Sequence, residues 1–95
     1  WLSCDAGGGI GIAQAIKEAN KVGAVFNVAL DDLPETIKLI QEGVIDSSYA
    51  TKPRTQGYWA VVALWQAKLG AAMPQDIDTG IGIVTQDNAA HYQGL

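Results

Sequence analysis

The chain of 95 residues is poor in the side chains that build metal and nucleophile sites, with one cysteine (Cys4), one histidine (His91) and one methionine. A single cysteine excludes an internal disulfide and any cysteine-based metal cluster, and it leaves the redox compartment open. Cys4 itself reads as a small buried core residue. One histidine makes no zinc site without further ligands at metal spacing, and His91 lies near the C-terminus, where chains order poorly and a catalytic base is hard to hold. No calcium-loop spacing is present. Basic residues are also scarce. Six Lys and Arg face ten Asp and Glu, giving a net charge of −4 and a pI of about 4.6. That balance repels phosphate backbones and anionic lipid, and without a basic run a nucleic-acid partner is excluded. Long apolar runs are missing too: the longest, Tyr58 to Trp65, falls far below the roughly 20 residues that cross a bilayer.

What remains is the composition of one small globular domain, 48% hydrophobic and 17% charged. Such a chain buries a little over ~60% of the surface its unfolded form exposes, so an unpaired strand or helix leaves a large apolar face uncovered. The chain opens at Trp1 without an initiator Met, a charged leader or a cleavage pattern. It reads as a piece of a longer protein whose targeting segment lies outside it.

Apolar periodicity gives the elements. Trp1 to Cys4 reads as the end of a buried strand, broken by Asp5 and Gly7-Gly8-Gly9. Ile12, Ala13, Ile16 and Ala19 recur at helical spacing from Ile10 to about Lys21, with Gly23 as the stop. Ala24 to Leu30 is apolar almost throughout, as in a strand covered on both faces. Asp32, Pro34 and Glu35 form a capping-box start, followed by Leu33, Ile37 and Ile40 on one helical face and a left-handed stop at Gly43. Val44 to Thr51 alternates as a strand, with Ile45, Ser47 and Tyr49 on one side. Pro53 starts a helix whose Tyr58, Val61, Val62, Trp65 and Leu69 share a broad apolar face, and Gly57 within it implies close packing against a neighbour. Ala71 to Gly80 is a loop, Ile81 to Thr85 a last strand, and Asn88 to Tyr92 a terminal helical turn. The order β-α-β-α-β-α-β implies an α/β fold, a parallel sheet with flanking helices in Rossmann-like layers.

Ligands of open parallel sheets sit beyond the carboxyl ends of the strands, which here are Asp5, Asp31 and Thr51. Carboxylates accept hydroxyl donors, so this rim suits a neutral polyhydroxylated ligand and not a phosphate. Either acid could instead cap the next helix. Asp32 is available to cap the second helix, which leaves Asp31 freer. Gly7 to Gly11 has neither the dinucleotide fingerprint nor the phosphate-loop ending, and reads as a tight strand-to-helix turn. Tyr58, Trp59 and Trp65 sit at helical spacing and read as core or interface residues. Lys17, Glu18, Lys21, Lys38 and Glu42 read as solvated helix faces.

With the strand-end acids located, ordered motifs emerge. Asp5 followed by Gly11 and Ala15, Leu30-Asp31-Asp32-Leu33-Pro34-Glu35, Leu39 to Asp46 with its Gly43 turn, and Ala50-Thr51-Lys52-Pro53 with Gln56-Gly57-Tyr58 follow one another at consistent spacing. Together they resemble the C-terminal part of periplasmic sugar-binding proteins of the ribose-binding type, the solute receptors of ABC transporters. The resemblance implies a two-lobed receptor in which Asp31 and Asp5 accept hydroxyl bonds from the sugar. Thr51 stands where ribose receptors carry a glutamine, which bears on the particular sugar and not on the class.

On this resemblance, residues 1–51 belong to the C-terminal lobe, 52–80 pack with an N-terminal lobe outside this chain, and 81–95 form a hinge-proximal strand and tail. The implied partners are a small sugar, the other lobe and the transporter permease, in a periplasmic or extracellular setting and at the membrane through the transporter. No cofactor and no enzymatic step are expected. By itself the chain could complete its core with a second copy, given the Tyr58 to Leu69 face. The competing readings are the effector domain of a sugar-responsive repressor, a small nucleotide-dependent α/β enzyme resting on Gly7 to Gly11, and an assembly piece without a ligand.

Overall fold

The computed structural model describes residues 1–94. Helices α1 (Gly8–Glu18), α2 (Pro34–Gln41) and α3 (Pro53–Lys68) alternate with strands β1 (Val28–Leu30), β2 (Ser47–Ala50) and β3 (Gly82–Thr85). The strands form one sheet in the order β1-β2-β3. β1 and β2 are parallel, with Val28 opposite Ser47, whereas β2 and β3 are antiparallel, with Ala50 opposite Gly82. The α/β class holds, and the sheet is mixed where an all-parallel one was expected. The reason lies in the connection: the chain leaves the sheet at the carboxyl end of β2 and re-enters beside the same residue, so the returning strand must run backwards.

The expected first strand is reduced to one parallel bridge between Leu2 and Val28. Ser3 donates to the Val28 carbonyl at 3.0 Å and turns inward, which puts Leu2 and Cys4 outside by strand alternation. Cys4 is therefore exposed, not a core residue. Segment 1–3, β1 and β2 step across the sheet in one direction. Right-handed crossovers then place α1 and α2 on the same face.

That face holds the core. The cross-strand row Ala29, Ser48 and Val84 is buried, and Ile16, Leu39, Ile40 and Ile45 close over it. The neighbouring row of Leu30, Tyr49 and Ile83 points the other way, and Tyr49 and Ile83 are exposed, as is Phe26. The described residues thus cover one face of the sheet, not both. β2 also has the opposite phase from its expected one: Ser48 and Ala50 point in and Tyr49 points out. The shift arises at Asp46, whose carboxylate turns to accept the Asn27 N–H at 2.7 Å while its own N–H donates to the Asn27 carbonyl at 2.9 Å.

Helix α1 begins two residues earlier than its apolar pattern, with Gly8 and Gly9 in its first turn, and buries Gly9, Ala13 and Ile16. Ala19 is exposed. Gly9 is required by contact: a Cβ there would sit 2.5 Å from the Cβ of Ala29. In α2 the buried face is Thr36, Leu39 and Ile40, while Leu33 stands outside as the N-cap residue. No side chain caps α2, so Asp32 does not play the expected role. Pro34 at the first position removes one of the amides a cap would serve. Gly43, with φ of +76°, is the left-handed stop its position predicts.

Helix α3 forms as expected from Pro53, yet it has no buried residue. Tyr58, Val61, Leu64, Trp65 and Leu69 are all exposed, and nothing lies within 4 Å of a Cβ built on Gly57. The close neighbour expected at Gly57 is not supplied by the described residues. The radius of gyration is accordingly 16.9 Å, against about 12 Å for a compact chain of this length.

Two of the expected solvated charges pair across the helices: Lys17 Nζ lies 2.8 Å from Glu42 Oε2. The Lys17 hydrogen bond holds the Glu42 carboxyl below its ordinary 4.5, with the charges of Lys17 and Lys38 adding to it against a smaller opposing effect of burial. A lowered folded-state pKa contributes stability that is complete above the unfolded value and fades as pH falls through the folded one. Glu42→Gln should therefore lower the urea midpoint slightly at neutral pH, with the difference closing as the pH drops below 4.5 and as salt is raised. For the packing of α1, Gly9→Ala should destabilise by about 1–3 kcal/mol through overpacking. Gly11→Ala, where a Cβ meets open space, should stabilise by about 0.5–1 kcal/mol; urea unfolding of both variants checks the pair.

Candidate functional site

The parallel ladder runs one residue past β1, because the Asp31 N–H donates to the Tyr49 carbonyl at 2.9 Å. There the backbone turns left-handed, with φ of +68° at Asp31, a conformation aspartate tolerates better than most side chains. The buried Ser48 hydroxyl donates to the Asp31 carbonyl from below. Asp31 is thus pinned through both of its backbone polar groups.

Its side chain is held on one side. Asp31 Oδ1 accepts the Thr51 hydroxyl at 2.7 Å and the Thr51 N–H at 3.3 Å. Oδ2 has no protein donor among the described residues. Both residues are half-buried at the ends of adjacent parallel strands. A fixed carboxylate with one oxygen open is an acceptor for a ligand hydroxyl, and the Thr51 oxygen retains acceptor capacity of its own.

Asp5 stands at the same end of the sheet, following the segment that pairs with β1. It makes no hydrogen bond to Asp31 or Thr51 and instead accepts the Gly8 N–H at 2.5 Å, holding the first turn of α1. Of the three strand-end residues, the structure brings Asp31 and Thr51 together and sets Asp5 to the helix start. The same bond puts a negative charge at the amino end of α1, where a nucleotide phosphate would have to sit.

Two residues beside the site were not visible in the sequence pattern. Lys52 Nζ donates to the Tyr92 hydroxyl at 3.1 Å and lies 5.2 Å from the centre of its ring. Tyr92 arrives from the terminal turn, which Ala89 closes by donating to the Thr85 carbonyl at 2.9 Å. Further on, Gly94 lies directly against the Asp32 carboxylate. A sequence reading could have found only a hint of this: a Tyr-containing turn after the last strand.

A cavity of about 370 Å³ opens elsewhere, along the outer side of α1 between Trp1, Ile12, Ala15, Ala19 and Val25. Its walls are apolar and offer a sugar almost nothing to bond. Among the described residues no group of three acids, histidines or cysteines is placed to hold a metal, and no helix is long and apolar enough to cross a membrane.

Known proteins share this fold. Residues 1–72 match the family model of the periplasmic binding protein domain. Over 68 residues the chain is 32% identical to the D-allose-binding periplasmic protein of Escherichia coli K12, a match covering 70% of this chain and 22% of that protein. An ABC transporter solute-binding protein from Burkholderia graminis C4D1M, in complex with D-arabinose, superposes with a TM-score of 0.86 at 33% identity, over 96% of this chain and 33% of its own. One from Agrobacterium vitis, bound with alpha-D-tagatopyranose, superposes at 0.89 over 95% of this chain and 30% of its own. Its identity of 24% makes that a likeness of fold. The chain spans between about a fifth and a third of the length of these relatives.

Removing the Thr51 hydroxyl tests whether it holds the carboxylate. Thr51→Val should cost about 1–2 kcal/mol, as for a hydrogen bond to a charged acceptor, and Thr51→Ser should recover most of it; urea unfolding at neutral pH measures both.

Proposed function

The chain belongs to the periplasmic binding protein domain family, and from that premise we propose that it is part of a receptor that binds a neutral monosaccharide between two lobes and passes it to an ABC transporter permease. The observation that carries this reading is the Asp31 carboxylate, oriented through Oδ1 by Thr51 and open at Oδ2 toward the end of the sheet. Asp31 accepts hydroxyl bonds from the sugar, Thr51 adds an acceptor, and Asp5 meets the sugar from the neighbouring strand end while it holds α1. Arabinose in the similar structure from Burkholderia graminis, and allose in the name of the curated relative, are both neutral polyols of the class this rim suits. No bond is made or broken, so the protein is not an enzyme, and its working place is the periplasm, at the membrane through the transporter.

In this reading, residues 1–51 form part of the C-terminal lobe, 52–80 pack with an N-terminal lobe outside this chain, and 81–95 return beside the hinge. Support comes from α3, whose exposed Tyr58, Leu64 and Trp65 need a cover that the described residues do not provide. Half a cleft leaves a sugar largely solvated, so tight binding requires both lobes.

The test is a thermal-shift and calorimetric screen of the two-lobed protein containing these residues, against pentoses, hexoses, polyols and nucleotides. A sugar should stabilise it with the logarithmic concentration dependence of linkage, by about 2.7 kcal/mol at a hundred times the Kd. Asp31→Asn should weaken that binding by about tenfold or more, because the amide cannot accept as a charge. Stabilisation by nucleotides with no response to any sugar would overturn the proposal.

A further inference from the structure

We propose that Lys52 and Tyr92 are positioning residues for the sugar site: they form a clasp over Gly82 that ties together the points where the chain leaves and re-enters the sheet, and so keeps Thr51 on Asp31. The inference rests on the reading of Asp31 and Thr51 as ligand groups.

Gly82 is opposite Ala50 in the antiparallel ladder, one residue before Thr51. A Cβ on Gly82 would strike the Tyr92 hydroxyl and come within 2.8 Å of Lys52 Nζ, so both polar groups lie directly on its bare backbone. The ammonium donates to the phenol oxygen at the hydroxyl edge of the ring, 5.2 Å from its centre, and the ring leans on the hydrophobic core. The charge on the donor makes this hydrogen bond stronger than a neutral one. Tyr92 does not reach this place on a loose tail. Asn88 accepts the Thr85 N–H at 2.8 Å and donates to the Ile83 carbonyl at 2.9 Å, and Ala89 is buried in the turn, which folds the chain back along β3 to Gly82.

The consequence falls on Thr51. Beyond Ala50 the described residues give β2 no further ladder partner, and the next residue but one, Pro53, contributes no N–H. Without the clasp, Thr51 would be held by its side-chain and amide bonds to Asp31 alone. Lys52 fixes the peptide that follows Thr51 and thereby the direction of its hydroxyl.

Amide hydrogen exchange of the full chain by NMR tests this without any sugar, so a failure of the clasp and a failure of the sugar reading are separate results. The reporters are the amides of Thr51 and Asp31 at the carboxyl ends of the strands. The controls are those of Asn27 and Asp46 at the opposite ends. Lys52→Met and Gly82→Ala should each speed exchange at Thr51 and Asp31 by about tenfold, the size of one lost hydrogen bond, and leave Asn27 and Asp46 unchanged. Lys52→Arg, which keeps a cationic donor for the Tyr92 hydroxyl, should restore the slow exchange. Unchanged exchange at Thr51 in Lys52→Met, an equal rise at both ends of the strands, or no rescue by arginine would overturn the proposal.

Discussion

Everything in this chain depends on how closely α1 can lie on the sheet. Gly9 sits where any side chain would collide with Ala29, and the row Ala29, Ser48, Val84 is small enough to let the helix descend onto it. Dense packing of this kind transmits position, because a core without voids allows few alternative arrangements. Ser48 is the link to chemistry. Buried in that row, it spends its hydroxyl on the carbonyl of Asp31, so the residue that fills the core also fixes the turn from which the carboxylate projects.

Polar groups are placed inside with some economy. Asn27 is fully buried, bonds the Gly9 carbonyl through Nδ2 at 3.1 Å, and joins Asp46 through its backbone. It therefore anchors the start of α1 and the opening of the β1–β2 pair together. Three buried oxygens, Ser3 Oγ, Asn27 Oδ1 and Thr36 Oγ1, have no protein partner among the described residues. Each such group costs about 1–3 kcal/mol when left dry, so the apolar contacts of Ile16, Leu39, Ile40 and Ile45 must outweigh them in this half-covered core.

The helices and the strand ends were legible because their signals are local. Pro34 and Pro53 at helix starts, Gly43 at a stop, and acids at the ends of apolar runs each act through a residue's own backbone preferences. The phase of β2 was not legible, since it depends on Asp46 turning its carboxylate to Asn27, a residue 19 positions away. Nor was the direction of β3, because Ile81 to Thr85 looks the same whichever way it runs. The pairing of Asp31 with Thr51 was half legible: their strand ends could be placed side by side, but the hydrogen bond follows from the left-handed turn at Asp31 that no propensity announces. Asp32 does not free Asp31 by capping α2, because Leu33 occupies the cap position without a side-chain bond.

The strand ends that carry the candidate ligand groups are also where the backbone leaves the sheet, and one physical fact explains both. At the end of a ladder the main chain loses its partners, so side chains must supply the hydrogen bonds and the chain is free to turn away. Thr51 does both at once, bonding Asp31 and preceding the departure into α3. The two crossings are built differently. The outgoing one is stiffened by Pro53, which fixes its own φ and restricts Lys52 before it. The returning one passes through Gly80 in a left-handed conformation, φ +79°, which glycine enters without strain. α3 is therefore joined to the sheet by one rigid and one compliant connection, and none of its residues is buried. A sheet packed firmly on one face, with an exposed helix joined to it at the end that holds the carboxylate, is the arrangement from which the two-lobed proposal starts.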